Sequence, residues 1–170
     1  GAYVISPEKR EDHRGFFARA WCAEEFARTG LVAALAQANI CFNHQKGTLR
    51  GMHYQTPPHA ESKTVRCTRG AIFDVVVDLR PDSETYLKWE GVELSEKNCQ
   101  MLYVPPLFAH GYLTLVDNAE VFYLVSEFYT PGAERGLRYD DPAINIRWPF
   151  SPSLISEKDQ NWKNYHELHN

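Results

Sequence analysis

A chain of 170 residues with 44% apolar and 24% charged side chains can bury one core and keep a hydrated surface. Its formal charge of −4 excludes nucleic-acid binding by bulk electrostatics, although a few converging arginines and lysines can still hold a small anion. No apolar run approaches the roughly 18 residues that span a bilayer, and no basic-then-apolar signal segment is visible, so a single cytoplasmic domain over 1–170 is expected.

One short helix is predicted at Ala23 to Thr29, stopped by Gly30. The rest reads as strands and turns. Val4-Ile5-Ser6 leads into a loop from Pro7 to Arg14. Thr48 to Gln55 is strand-like until Pro57-Pro58 breaks it. Thr64 to Thr68 and Ile72 to Leu79 flank Arg69-Gly70, a hairpin signal. Trp89 to Leu94 and Met101 to Val104 follow, the latter ended by Pro105-Pro106. Tyr112 to Leu115 and Val121 to Tyr129, around Asp117-Asn118, suggest a second hairpin. Many short strands with close turns indicate an all-β jelly-roll sandwich or barrel. Cys22, Cys41, Cys67 and Cys99 form no Cys-x-x-Cys pair and are expected to be free thiols in a reducing compartment.

Side chains alternate faces along a strand. From Ile72 to Leu79, one face carries Phe73, Val75, Val77 and Leu79; the other mixes Ile72 and Val76 with Asp74 and Asp78. A two-residue turn at Arg69-Gly70 would set Val65 opposite Asp74 and Lys63 opposite Val76, making Lys63 and Asp74 diagonal neighbours. Tyr129 falls on the same face as Tyr123. Arg50 and His53 are an odd number apart, so a regular strand would send them to opposite faces; one site can use both only if the strand bends near Arg50.

On their own, these residues also have ordinary structural readings. Lys63 with Asp74 fits a solvated pair, Tyr123 fits packing, and His53 fits a hydrogen-bonded structural histidine as well as a site. His13, His44, His59, His166 and His169 lie among polar or turn residues and are expected to be exposed. A metal site would draw on His53, His59, Glu61 and His110, but His53-Tyr54-Gln55 lacks the His-x-His pair that lets alternate residues of one strand face an ion. No metal is expected.

Thr48-Leu49-Arg50-Gly51-Met52-His53-Tyr54-Gln55 resembles a segment of the dTDP-4-dehydrorhamnose 3,5-epimerase family, which are metal-independent cupins. So do Arg14-Gly15-Phe16-Phe17, Phe73-Asp74-Val75-Val76-Val77-Asp78-Leu79-Arg80, Phe108-Ala109-His110-Gly111, Val121-Phe122-Tyr123, Asp140-Asp141-Pro142 and Trp148-Pro149. They occur in family order from about Ile5 to Asp159. The resemblance implies a cupin jelly roll, an isomerase that needs no cofactor, and a homodimer in which an N-terminal strand adds to the partner's sheet. It implies a nucleotide-linked 4-keto-6-deoxy hexose as substrate. His53 matches the base, Asp159 its carboxylate partner, Tyr123 the acid and Lys63 the residue that stabilises the enolate. Arg14, Phe17, Gln37, Arg50, His110 and Tyr129 match substrate-binding positions, some across the dimer. Arg19, Cys41 and Glu61 stand where the family often has Glu, Ser and Gln. Epimerisation at one carbon only and keto-isomerisation therefore remain alternative reactions, beside a metal-dependent cupin enzyme and a sugar- or nucleotide-binding module.

Overall fold

The computed structural model describes residues 1–168, so His169 lies outside the described residues. In chain order the elements are β1 (Tyr3–Ile5), β2 (Arg10–Asp12), β3 (Gly15–Phe17), α1 (Ala23–Arg28), β4 (Gln37–Asn43), β5 (Thr48–Gln55), β6 (Lys63–Arg69), β7 (Ala71–Asp78), β8 (Trp89–Ser95), β9 (Met101–Val104), β10 (Phe108–Thr114), β11 (Ala119–Val125), β12 (Glu134–Gly136), β13 (Leu154–Ile155), α2 (Glu157–Gln160) and α3 (Tyr165–Leu168). Two sheets run β1-β9-β6-β11-β4 and β12-β5-β10-β7-β8, with β13 beside β5. All pairings are antiparallel except β13 with β5. The jelly-roll expectation holds. Among the described residues no helix is long and apolar enough to cross a membrane, and all four cysteines are free.

Inward side chains from the two sheets form the main core: Val65, Cys67, Leu102, Val104, Ala119 and Val121 from one, Ile72, Val76, Leu94, Phe108 and Tyr112 from the other. Each large apolar side chain fully buried there contributes about 1.5–3 kcal/mol. The all-apolar face of β7 points the other way. Val75 and Val77 join Met52 and Ala109 under Leu137, Ile144 and Tyr165 of the C-terminal segment, forming a second cluster. The alternation expected for β7 is therefore correct on both faces.

Both expected hairpins are instead corners between sheets. β6 pairs with β9 and β11, whereas β7 pairs with β8 and β10. Val65 lies opposite Tyr123 and Leu102; Asp74 lies opposite Tyr112 and Val92. Lys63 and Asp74 are thus not strand neighbours. Gly70, at φ +76°, turns the chain from one sheet into the other, a conformation that suits a residue without Cβ. β10 and β11 part in the same way around Asp117-Asn118, and β11 ends at Val125, so strand alternation does not carry as far as Tyr129. A turn dipeptide reports a reversal of direction but not which sheet receives the next strand.

The helix forms as expected. Phe26 packs between Trp21 and Tyr103, and Thr29 and Gly30 close it, Gly30 at φ +77°. The expected loop from Pro7 to Arg14 instead holds β2, which pairs with β3 alone. β4 had no counterpart among the expected strands.

Candidate active site

A cavity of about 450 Å³ opens between the sheets at one end of the sandwich. One wall comes from Gln37, Asn39 and Cys41 on β4, Lys63 on β6, and Val121, Tyr123 and Val125 on β11. The other comes from Arg50, His53 and Gln55 on β5 with His110 and Tyr112 on β10. Arg50 and His53 share it because β5 carries a bulge. His110 faces His53 and Tyr112 faces Arg50, so three residue steps on β5 oppose two on β10. The extra residue resets the alternation. Gly51 makes the bulge, at φ +132°, and a Cβ there would lie 2.5 Å from the Cα of Gly111. The bend anticipated near Arg50 is this feature.

His53 Nε2 lies 2.6 Å from Asp159 Oδ1. Asp159 is 4% exposed, and its carboxylate is fixed from several sides. Its Oδ2 accepts the Gly51 N–H at 3.2 Å, and its Oδ1 also accepts the indole N–H of Trp162 at 3.2 Å. Its own N–H donates to Ser156 Oγ, the N-cap of α2, at 3.1 Å. Burial pushes the Asp159 pKa up, but His53, the Gly51 N–H and the indole together outweigh it, so the carboxyl is held below its usual range. Asp159 reaches His53 because β13 runs beside Thr48 and Leu49 at the start of β5.

Across the cavity stand Tyr123 and Lys63. Burial, reinforced by Cys41 and Glu61, pushes the Tyr123 phenol up to about 12, so it is protonated at neutral pH. Lys63 Nζ lies 3.0 Å from Glu61 Oε1, both side chains being largely buried. Buried Gln55 fixes Glu61 from the other side at 3.1 Å and ties down two loops through His59 O, Phe128 O and Thr130 N–H. Two further pairs involve cavity-lining residues. His110 Nε2 lies 2.7 Å from Asp74 Oδ1, and Arg50 Nε donates to Asn43 Oδ1 at 2.8 Å. At the mouth, Lys158 Nζ meets Glu134 Oε2 at 2.5 Å, and the Tyr129 hydroxyl donates to the same oxygen at 3.1 Å. The Tyr129 N–H donates to Gln37 Oε1 at 2.8 Å.

A His–carboxylate pair facing a protonated tyrosine and a lysine across a sandwich cavity is an arrangement for moving protons on either side of a bound molecule. Residues 1–167 match the family model described as dTDP-4-dehydrorhamnose 3,5-epimerase. An enzyme of that name from Sinorhizobium fredii is 43% identical over 166 residues, covering 97% of this chain and 85% of its own. This chain belongs to the dTDP-4-dehydrorhamnose 3,5-epimerase family. The crystal structure of such an epimerase from Elizabethkingia anophelis superposes with a TM-score of 0.94 at 37% identity, covering 99% of this chain and 93% of that one. A 3′-monoepimerase from Streptomyces bikiniensis, solved with dTDP-quinovose, gives 0.91 at 33% identity, covering 99% of this chain and 87% of that one.

In this family member, Gln37, Arg50, His53, Lys63, His110, Tyr123, Tyr129 and Asp159 all line one cavity. Arg14 and Phe17 do not. They sit on the exposed β2–β3 ribbon, where Arg14 pairs with Asp12 at 2.5 Å. Of the four metal candidates, His53 and His110 direct Nε2 at carboxylates of their own and Glu61 engages Lys63. Among the described residues no three His, Cys, Asp or Glu side chains converge as a ligand set. His13, His44 and His166 are exposed and His59 is half-buried. Asn39, Tyr54, Glu134 and Lys158 also line the epimerase's cavity, and Trp162 covers its dyad; none was picked out from the sequence. For Trp162 the sequence carries no signal: α2 ends at Gln160, and the contact with Asp159 is made by the irregular chain that follows it.

Proposed function

We propose that this epimerase acts on a dTDP-linked 4-keto-6-deoxy hexose, inverting carbons 3 and 5. The observation that carries the reading is the 2.6 Å contact between His53 and Asp159, facing Tyr123 across the cavity. Both carbons flank the ketone, so loss of either proton leaves an enolate, and the ketone itself is the electron sink. His53 takes the proton, its ring held in one tautomer by Asp159, which also steadies the imidazolium. Lys63 meets the developing oxyanion. Tyr123, standing on the other sheet, delivers a proton to the opposite face; its phenolate, of high proton affinity, is recharged from solvent at the cavity mouth, and His53 gives its proton up to solvent before it acts on the second carbon. Arg50 and Arg14 hold the pyrophosphate by charge-assisted hydrogen bonds, with Phe17, Gln37, His110 and Tyr129 around the sugar and base.

The proposal includes a homodimer. Edge strand β4 exposes Ile40 and Phe42 on the outer face of its sheet, an apolar strip that a partner's strand would cover. Since β1 pairs within its own chain, the exchanged element is the β2–β3 ribbon, which brings Arg14 and Phe17 to the partner's cavity.

Incubation with dTDP-4-keto-6-deoxyglucose in heavy water tests the reading. Deuterium is expected at carbons 3 and 5, and His53→Ala abolishes both. Label at carbon 3 alone would make the protein a one-carbon epimerase, like the 3′-monoepimerase from Streptomyces bikiniensis. No label at either carbon would overturn the proposal.

A further inference from the structure

Three groups bond the Asp159 carboxylate, and one of them is a side chain with no place in the proton chemistry. The Trp162 indole N–H donates to Asp159 Oδ1 at 3.2 Å, the same oxygen that lies 2.6 Å from His53 Nε2. The indole also meets the His53 ring edge-on, with centroids 6.3 Å apart. Its position is set by a neighbour that has no side chain. A Cβ on Gly136 would fall inside the indole, 2.5 Å from Nε1. Gly136 is the β12 residue directly opposite His53. The strand residue paired with the imidazole is therefore the one that must be bare for the indole to lie over the dyad. The Lys158 ammonium lies over the ring, 5.7 Å from its centroid.

Resting on the epimerase reading, we propose that Trp162 is a positioning residue for the base: seated on Gly136, its indole N–H fixes the Asp159 carboxylate so that one oxygen serves His53 in a single orientation. An aspartate held by His53 alone could rotate about its last torsion and offer the imidazole either oxygen. With Oδ2 on the Gly51 N–H and Oδ1 shared with the indole, that rotation breaks two hydrogen bonds. The ionisable groups that line the cavity beside the pair have partners of their own: Lys63 meets Glu61, and Arg50 donates to the neutral Asn43. Lys158 of α2 pairs with Glu134 of β12, which also accepts from Tyr129, and His110 of β10 pairs with Asp74 of β7. The indole is an uncharged donor, so it orients the carboxylate without neutralising it.

The test compares Trp162→Phe, which keeps a ring and removes the donor, with Gly136→Ala, which keeps the donor and displaces it. Gly136→Ala is also made in a Trp162→Ala background. In both single variants kcat for solvent deuterium exchange should fall roughly 10-fold or more, with KM changed much less, because misplacing a reacting group costs rate rather than binding. The acid limb of the kcat profile should move to higher pH, since a carboxylate that has lost a donor holds the dyad's proton more tightly. Gly136→Ala should cost nothing further in a Trp162→Ala background. Wild-type kcat and acid limb in Trp162→Phe would overturn the inference. So would an equal loss from Gly136→Ala with and without the indole, which would mean that β12 acts on His53 directly. If Trp162→Ala does not fold, the two single variants still decide through the position of the acid limb. Absence of exchange in the wild-type protein would instead defeat the epimerase reading.

Discussion

At the scale of single residues, Asp159 and Tyr123 have opposite electrostatic tasks, and the fold supplies opposite surroundings. Asp159 is buried, which favours its neutral form, but three donors keep it ionised. Its folded pKa is thus depressed. It contributes stability that is fully present above its ordinary value of 3.8 and is lost as pH falls through the lower folded value. Thermal melts of wild type and Asp159→Asn should therefore differ most at neutral pH and converge in acid; a difference that persists unchanged to the lowest pH would mean the charge is not what stabilises. The same substitution should lower kcat by about 10²-fold or more, because His53 would lose the carboxylate that orients it as the base. Tyr123 receives burial without donors and stays a phenol at about 12. Tyr123→Phe should impair inversion more than proton exchange, and equal loss in the two assays would reject it as the acid. The residues proposed for this chemistry were legible in the sequence because they occur in ordered motifs, and the fold brings them to one cavity. Their supports were not: Trp162, Glu134 and Lys158 act through contacts that only the folded chain makes.

At the scale of elements, the bulge in β5 decides whether there is a site. Gly51→Ala would place a Cβ against Gly111 Cα at 2.5 Å and force a φ of +132° on a residue that rarely adopts it. A loss of at least about 2 kcal/mol is expected from denaturant unfolding, together with loss of activity; an Ala variant as stable and active as wild type would show that the bulge relaxes freely. The odd spacing of Arg50 and His53 announced this feature in advance. β4 escaped notice for the converse reason. Its inward residues are Gln37, Asn39, Cys41 and Asn43, and its outward residues include Ile40 and Phe42. Facing a polar cavity, the strand carries the hydrophobic pattern inside out, and a search for apolar residues turned inward passes over it. The two corners were misread because Arg69-Gly70 and Asp117-Asn118 supply the same backbone freedom to a hairpin and to a crossing between sheets.

At the scale of the whole molecule, the proposed dimer can be tested by complementation. If Arg14 serves the partner's cavity, mixing Arg14→Ala with His53→Ala subunits and allowing exchange creates mixed dimers with one intact site and one doubly defective site. Activity should rise toward about a quarter of wild type, the share of intact sites in a random mixture of symmetric dimers. Activity that never exceeds the Arg14→Ala contribution would place Arg14 in its own chain's site or in none. The C-terminal segment has a further consequence at this scale. His53 and Asp159 are 106 residues apart, and β13, α2 and Trp162 all come after the last strand of the main core. During synthesis, every residue of the inter-sheet core has therefore been added before the carboxylate partner of the base exists. A nascent or clipped chain ending before Ser156 would hold a nearly complete sandwich whose His53 lacks its carboxylate, so the proposed proton chemistry would reach full rate only once the segment from Ser156 to Trp162 has been made and folded back.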